Sequence, residues 1–188
     1  MFGLPLPEIM ANQKPFHPDL QVPAVVLCCI DQIKALGGKT LPGIFRIPGD
    51  TDTVNYLKLH IESGELSPLP TADPKDVCSL LSLWMRELPE ALFPDKFYDP
   101  CLELSKQSAI ACVAILEQLP PVNRAVIIEI IHLFQELSRE EVTKMTVSNL
   151  ALISAPNFLR CPDQSQVVML QNAKQEIQFM SYLIETLP

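Results

Sequence analysis

Arg46 is the one cation in Leu41-Pro42-Gly43-Ile44-Phe45-Arg46-Ile47-Pro48-Gly49-Asp50, a stretch bounded by two chain-breaking pairs. Pro42-Gly43 ends the preceding helix, Ile44 and Phe45 are large enough to pin the turn into a core, and Pro48-Gly49 breaks the backbone again. The arginine is therefore fixed on a short loop. A guanidinium held this way could enter another protein's nucleotide site and neutralise charge on a phosphoryl group in flight. It could equally form a surface ion pair or cap a helix end, since isolated surface arginines are common and mostly solvated. Local composition leaves these readings open, and three later segments decide among them.

The usual catalytic constellations are missing. The sequence has no Gly-x-x-x-x-Gly-Lys-Ser loop, no G-x-S-x-G elbow and no H-E-x-x-H. His17, His60 and His132 lie far apart with no plausible nucleophile beside them, which argues against a self-contained hydrolase. His132 reads as a helix histidine with a satisfied partner or solvent, and Glu140 and Glu141 read as solvated charge in a connector. Cys28, Cys29, Cys78, Cys101, Cys112 and Cys161 lack zinc-site spacing, and four of them lie inside apolar helical patterns. They read as buried free thiols in a reducing compartment. A net charge of -8 without a basic stripe argues against nucleic acid as a partner. No signal-peptide pattern opens the chain, and no stretch approaches the roughly 18 apolar residues of a membrane span. A soluble, intracellular, cytoplasmic protein is expected.

The elements that must position the arginine follow from apolar spacing. With 188 residues, 48% of them hydrophobic, the chain can bury a full core. Residues 1–22 form a proline-rich lead-in that drapes over the domain, with a short helical turn at Glu8 to Gln13. Val22, Val26, Cys29, Ile30, Ile33 and Leu36 repeat at helical spacing until Gly37-Gly38 stops them. Asp50 or Thr51 caps a helix buried through Val54, Leu57 and Ile61 that ends at Gly64. Asp73-Pro74 starts the next, buried through Val77, Leu80, Leu81, Trp84 and Leu88, with Ser82 and Arg86 sharing a face turned largely away from that stripe. A short helix spans Asp95 to Leu104, and Ser108 caps another. Val122 to Leu137 suits a central helix buried on most of its circumference, though Glu129 and His132 interrupt it. Thr146 caps a helix over Val147 to Ser154 that Ala155-Pro156-Asn157 ends. After a polar loop at Pro162 to Gln166, Val167 to Leu187 forms a last amphipathic helix. No convincing strand or internal repeat is visible, so an all-α domain of about eight or nine helices is expected.

Four blocks of this sequence, in order, resemble the signature of the Rho GTPase-activating protein (RhoGAP) domain. They are Gly43-Ile44-Phe45-Arg46; Leu83-Trp84-Met85-Arg86-Glu87-Leu88-Pro89-Glu90; Met145-Thr146-Val147-Ser148-Asn149-Leu150-Ala151; and Ala155-Pro156-Asn157. The resemblance extends from about Pro23 to Leu187 and assigns residues 23–188 to that domain. Leu6-Pro7-Glu8-Ile9-Met10, Pro48-Gly49-Asp50 and Phe158-Leu159-Arg160-Cys161 also resemble the Vilse (cross-GAP) subgroup, whose GAP domain is the C-terminal part of a larger protein.

The resemblance implies an activator acting in trans on a GTP-bound Rho-family small GTPase of Rho, Rac or Cdc42 type. Arg46 would be the arginine finger on the loop that Gly43 begins. Arg86 would brace that loop through its carbonyl oxygens and border the GTPase, and Asn149 would hydrogen-bond at the same interface. Ion pairing for Arg86 and a polar turn or helix cap for Asn149 are the plainer alternatives, and Asn157 reads as structural, bonding backbone in the turn after Pro156. No cofactor is implied, because the Mg²⁺ belongs to the GTPase, and the unit is expected to be a monomer. One departure stands out: the family usually has a GTPase-contacting lysine four residues before the helix arginine, and this chain has Ser82. A non-catalytic GTPase-binding scaffold of the same fold is therefore the alternative function. A GAP for a Ras or Arf type GTPase fits less well, because those families present different signature blocks.

Overall fold

Prolines and short polar side chains start the helices. The computed structural model describes residues 1–163 and 165–188. Among the described residues nine α-helices follow one another: α1 (Leu6–Gln13), α2 (Ala24–Ala35), α3 (Thr51–Glu62), α4 (Pro74–Glu87), α5 (Tyr98–Ser105), α6 (Ala109–Ala114), α7 (Pro121–Arg139), α8 (Val147–Phe158) and α9 (Gln166–Thr186). Of the polar loop expected before α9, Gln164 lies outside the described residues. Asp50, Asp73, Ser108 and Thr146 each accept a hydrogen bond from a first-turn N–H, at 2.8 to 3.2 Å. They satisfy donors that every helix start leaves unpaired. Pro74 and Pro121 open α4 and α7 at the first position, where a missing N–H costs nothing.

Packing follows the predicted stripes in α2, α3, α4 and α7, whereas Ile110 of α6 and Leu170 of α9, which helical spacing would turn inward, are exposed. Val126, Ile127, Ile130, Ile131, Leu133, Phe134 and Leu137 make α7 the buried centre. α9 packs along α5, α6, α7 and α8, while α4 packs against α2, α3 and α8. Each large apolar side chain buried in this way contributes about 1.5–3 kcal/mol. The lead-in joins the same core through Phe2, Leu6 and Ile9. Gln13 stitches it to α2, donating to the Val22 carbonyl at 2.9 Å and accepting from Ala24 N–H at 2.8 Å. No strand occurs among the described residues, although one isolated parallel bridge joins Phe93 to Leu159. The all-α architecture is thus the one read from the periodicity.

Three local expectations need correction or refinement. α8 does not stop at Ala155-Pro156-Asn157 but runs through to Phe158 with Pro156 inside it. Pro156 removes one helical hydrogen bond, but its ring lies on the exposed side, while Ala155, Asn157 and Phe158 are buried and Leu159 N–H closes the last turn on the Ala155 carbonyl at 2.8 Å. Burial outweighs the proline penalty there. The Asp95 segment is a 3₁₀ turn, Asp95–Phe97, followed by α5, and a second 3₁₀ turn, Ile115–Gln118, extends α6. Among the described residues no disulfide joins the cysteines, and burial pushes the Cys28 and Cys112 thiols up to about 11. No described helix is long and apolar enough to cross a membrane.

The 3₁₀ turn Gly38–Thr40 leads from α2 towards the arginine loop, and a two-lysine clamp holds it to the core. Lys34 of α2 and Lys39 of the turn both reach Glu136 of α7. Burial alone would raise the Glu136 pKa, but hydrogen bonds and charge from the two lysines outweigh it and hold the carboxyl below its ordinary value. A carboxyl lowered by folding adds stability that is complete above its unfolded pKa and fades as pH falls through the folded one. Glu136→Gln should therefore lower stability at neutral pH by no more than about 1 kcal/mol, as partly exposed pairs do. The difference should shrink as thermal melts are repeated towards about pH 3; a difference unchanged into acid would contradict the ion pair.

Candidate functional site

The arginine loop is a single tight turn closed on one carbonyl. Arg46 N–H and Ile47 N–H both donate to the Gly43 oxygen at 2.9 Å, and Gly43 N–H donates to the Thr143 carbonyl at 2.7 Å. Gly43 adopts φ +75°, and Phe45 adopts φ +66°, a left-handed backbone that costs a non-glycine residue about 1–2 kcal/mol. Burial offsets that strain: Ile44 is fully buried, and the Phe45 ring meets Phe134 of α7 edge-on at 5.2 Å and 89°. With Ile44 and Phe45 both engaged by the core, the next side chain faces out. Arg46 is exposed, and among the described residues its guanidinium makes no hydrogen bond or ion pair. It folds over Gly43, whose Cβ, if it had one, would lie 3.5 Å from Arg46 Nη2.

Lys144 is the other non-glycine residue of the described chain with positive φ, at +54°, and it directly follows the Thr143 that receives Gly43. Thr143 Oγ1 donates to the Leu137 and Glu140 carbonyls and accepts Met145 N–H, fixing the end of α7 beneath the loop. Asn149 completes this support: its Nδ2 donates to the Lys144 carbonyl at 3.1 Å. The half-buried Asn149 thus stabilises the turn on which the arginine loop rests, while its Oδ1 accepts nothing among the described residues.

Ser82 lies under the loop, sharing a small cleft with Phe45, Met85, Phe134, Ser154 and Asn157. Asn157 corrects an expectation. It sits inside α8, 8% exposed, and bonds no backbone turn; among the described residues its carboxamide makes no hydrogen bond. Arg86, one turn beyond Ser82, is exposed, and its guanidinium does not reach the loop carbonyls in this structure. The structure thus gathers Gly43, Arg46, Ser82 and Asn149 around one loop and leaves Arg86 at the end of α4. That end is closed by Arg160, which sequence reasoning missed as a site residue. Arg160 donates to the carbonyls of Leu88 (2.9 Å), Met85 (3.2 Å) and Arg86 (3.3 Å). A cation is the expected partner for a helix C-terminus, but this one comes from more than 70 residues away. Downstream of Arg46 the loop closes on the start of α4, where Gly49 N–H donates to Ser79 Oγ and Asp50 N–H to Asp76, both at 2.9 Å.

The histidines do not assemble a catalytic group: His132 lies 3.0 Å from the Pro188 carbonyl and His60 faces Glu65 at 3.7 Å. Among the described residues, no cluster of His, Cys, Asp or Glu could hold a metal ion. What the site offers chemically is the exposed Arg46 guanidinium, unpaired among the described residues, on a main chain held by hydrogen bonds.

Residues 23–163 match the RhoGAP domain family. GTPase activating protein homolog 3 of Dictyostelium discoideum is 35% identical over 98% of this chain, which spans 14% of that relative's length. Human Rho GTPase-activating protein 24 is 32% identical over 98% of this chain, which spans 26% of it. The crystal structure of human Rho GTPase activating protein 15 superposes with a TM-score of 0.87 at 23% identity, covering 98% of this chain and 88% of that one, a likeness of fold.

Gly43→Ala tests the loop geometry. The new Cβ would meet the Ile47 side chain at 2.8 Å, which can move, but the left-handed backbone cannot be relieved in the same way. The substitution is expected to cost about 1–2 kcal/mol, read as a fall in melting temperature of several degrees. An unchanged melt would show that the loop does not hold this conformation.

Proposed function

Because the chain belongs to the RhoGAP domain family, we propose that it binds GTP-loaded Rho-family small GTPases in the cytoplasm and accelerates GTP hydrolysis with Arg46 as the finger. The observation that carries this reading is an exposed guanidinium, unpaired among the described residues, on a turn pinned from upstream by buried Ile44 and half-buried Phe45. Residues 23–188 form the proposed GAP unit, with residues 1–22 as its lead-in.

The chemistry follows from charge. As the γ-phosphoryl leaves, negative charge builds between the β- and γ-phosphates, and a cation already in place stabilises the transition state more than the ground state. A guanidinium suits this task because it stays ionised and its planar fork matches phosphate oxygens. The turn fixes the Arg46 main chain by hydrogen bonds made before the partner arrives, so the encounter orders only one side chain. Asn149 keeps Oδ1 available beside the same turn among the described residues, and Arg86, exposed at the end of α4, is the residue proposed to border the GTPase. The GTPase supplies its own Mg²⁺ and the residue that orients the attacking water.

Ser82 favours the second reading, a GTPase-binding scaffold, because it removes a point charge from the surface around the loop. It affects affinity more than chemistry, since the finger is retained.

In single-turnover GTP hydrolysis against Rho, Rac and Cdc42, Arg46→Ala should lower the activated rate by about 10³ to 10⁵, or roughly 4–7 kcal/mol of barrier, with much of the binding retained. Equal rates for the two proteins on every GTPase would end the finger assignment and leave the scaffold. Ser82→Lys should tighten binding to at least one of these partners by several-fold, as a restored charge at an interface rim does; unchanged titrations across the panel would show that the serine is neutral.

A further inference from the structure

Asp76 is an acid where acids are rarely found. It lies in the first turn of α4, only 5% exposed, and pairs with no cation among the described residues. Its two oxygens are used separately. Oδ1 accepts Asp50 N–H at 2.9 Å, and Oδ2 accepts the Thr71 hydroxyl at 2.7 Å. The positive end of α4 favours the charge, but α4 does not need Asp76 in order to start, because Asp73 already caps it. The side chain is therefore spent on the loop.

The loop backbone lies flush against this carboxylate. A Cβ on Gly49 would sit 2.5 Å from Asp76 Cα and Oδ1 and 2.7 Å from its N. The contact thus exists only because residue 49 has no side chain. One turn along α4, Ser79 Oγ accepts Gly49 N–H. Two side chains on one helix take two consecutive loop donors, and Asp50 then caps α3. The upstream end of the loop is held by the Thr143 carbonyl through Gly43, and the downstream end, four residues past Arg46, by Asp76.

We infer that Asp76 is a positioning residue for Arg46: its buried carboxylate fixes the downstream end of the finger loop on α4 and so sets where the guanidinium enters the partner's nucleotide site. The inference rests on the GAP function proposed above. Asp76 touches neither partner nor nucleotide in this account. Losing it should leave the docking surface in place while the finger is less well aimed, and misplacement by about 1 Å costs on the order of 10²-fold in rate. Asparagine can replace it, since the amide oxygen can still accept Asp50 N–H while the amide nitrogen donates to Thr71 Oγ1.

The test measures single-turnover GTP hydrolysis and binding of the GTP-analogue form, using whichever Rho-family GTPase the chain activates. Asp76→Ala should lower the maximal rate by about 10- to 100-fold with Kd changed by less than about 3-fold, and Asp76→Asn should recover most of the rate. In an Arg46→Ala background, Asp76→Ala should cost nothing more, because it acts through the missing side chain. Should Asp76→Ala fold poorly, Gly49→Ala keeps the carboxylate but drives the loop off it, because the new Cβ would meet Asp76 Cα and Oδ1 at 2.5 Å, and it should show the same loss of rate at retained affinity. A wild-type maximal rate in Asp76→Ala or Gly49→Ala, a loss confined to Kd, or multiplying effects in the double variant would overturn the inference. Arg46→Ala at the wild-type rate would overturn both this inference and the proposed function, whereas an Arg46→Ala collapse beside a fully active Asp76→Ala would overturn this inference alone.

Discussion

The hydrogen bond from Gly43 N–H to the Thr143 carbonyl, 2.7 Å long, joins two turns that are each strained where they meet. Phe45 and Lys144 lie on either side of it in left-handed backbone, a conformation that persists only where surrounding contacts over-determine it. On one side the determination comes from Ile44 and the Phe45–Phe134 contact, and on the other from Thr143 and Asn149. Without that bond the two turns would relax independently, and the upstream end of the loop would lose its tie to the chain after α7, leaving Arg46 held only by the packing of Ile44 and Phe45 and by the downstream bonds to α4.

The helical scaffold gives this loop two foundations. α7 provides the upstream one, through Phe134 and through the turn that follows Arg139. α4 provides the downstream one, through Asp76 and Ser79, and Arg160 closes its far end from the segment after α8. The arrangement suits a part that acts on another protein. It requires no cleft of its own and no titrating group near neutrality, only a cation whose main chain is ordered before contact. The apolar groove between α8 and α9, lined by Leu152, Met169 and Leu170, lies apart from the loop residues and takes no role here.

What could be read in advance was what depends on neighbours in sequence. Asp73 before Pro74 and Thr146 before Val147 announce helix starts because capping is decided within three residues. The run from Val126 to Leu137 announces a buried centre because its period is that of a helix. Arg46 could be singled out because two chain breaks and two large apolar neighbours leave it only one way to face. Asp76 and Arg160 could not be found in this way: the loop partner of Asp76 is 26 residues distant and the carbonyls that Arg160 reaches are 72 to 75, and neither residue type signals such a contact. Pro156 misled because the penalty for proline inside a helix is a local quantity, whereas the burial of Phe158 that exceeds it is tertiary. The left-handed backbone at Phe45 had no marker at all, since glycine or asparagine is the residue that usually announces one.

A cation that acts on the transition state must bind that state better than the ground state. The most direct measurement is the affinity of the chain for a Rho-family GTPase in two forms, one loaded with a GTP analogue and one with GDP and aluminium fluoride, for wild type and Arg46→Ala. The account expects wild type to bind the fluoride form at least about 10²-fold more tightly, with the preference lost in Arg46→Ala. Equal affinity of wild type for the two forms, or a preference that survives removal of the guanidinium, would contradict it.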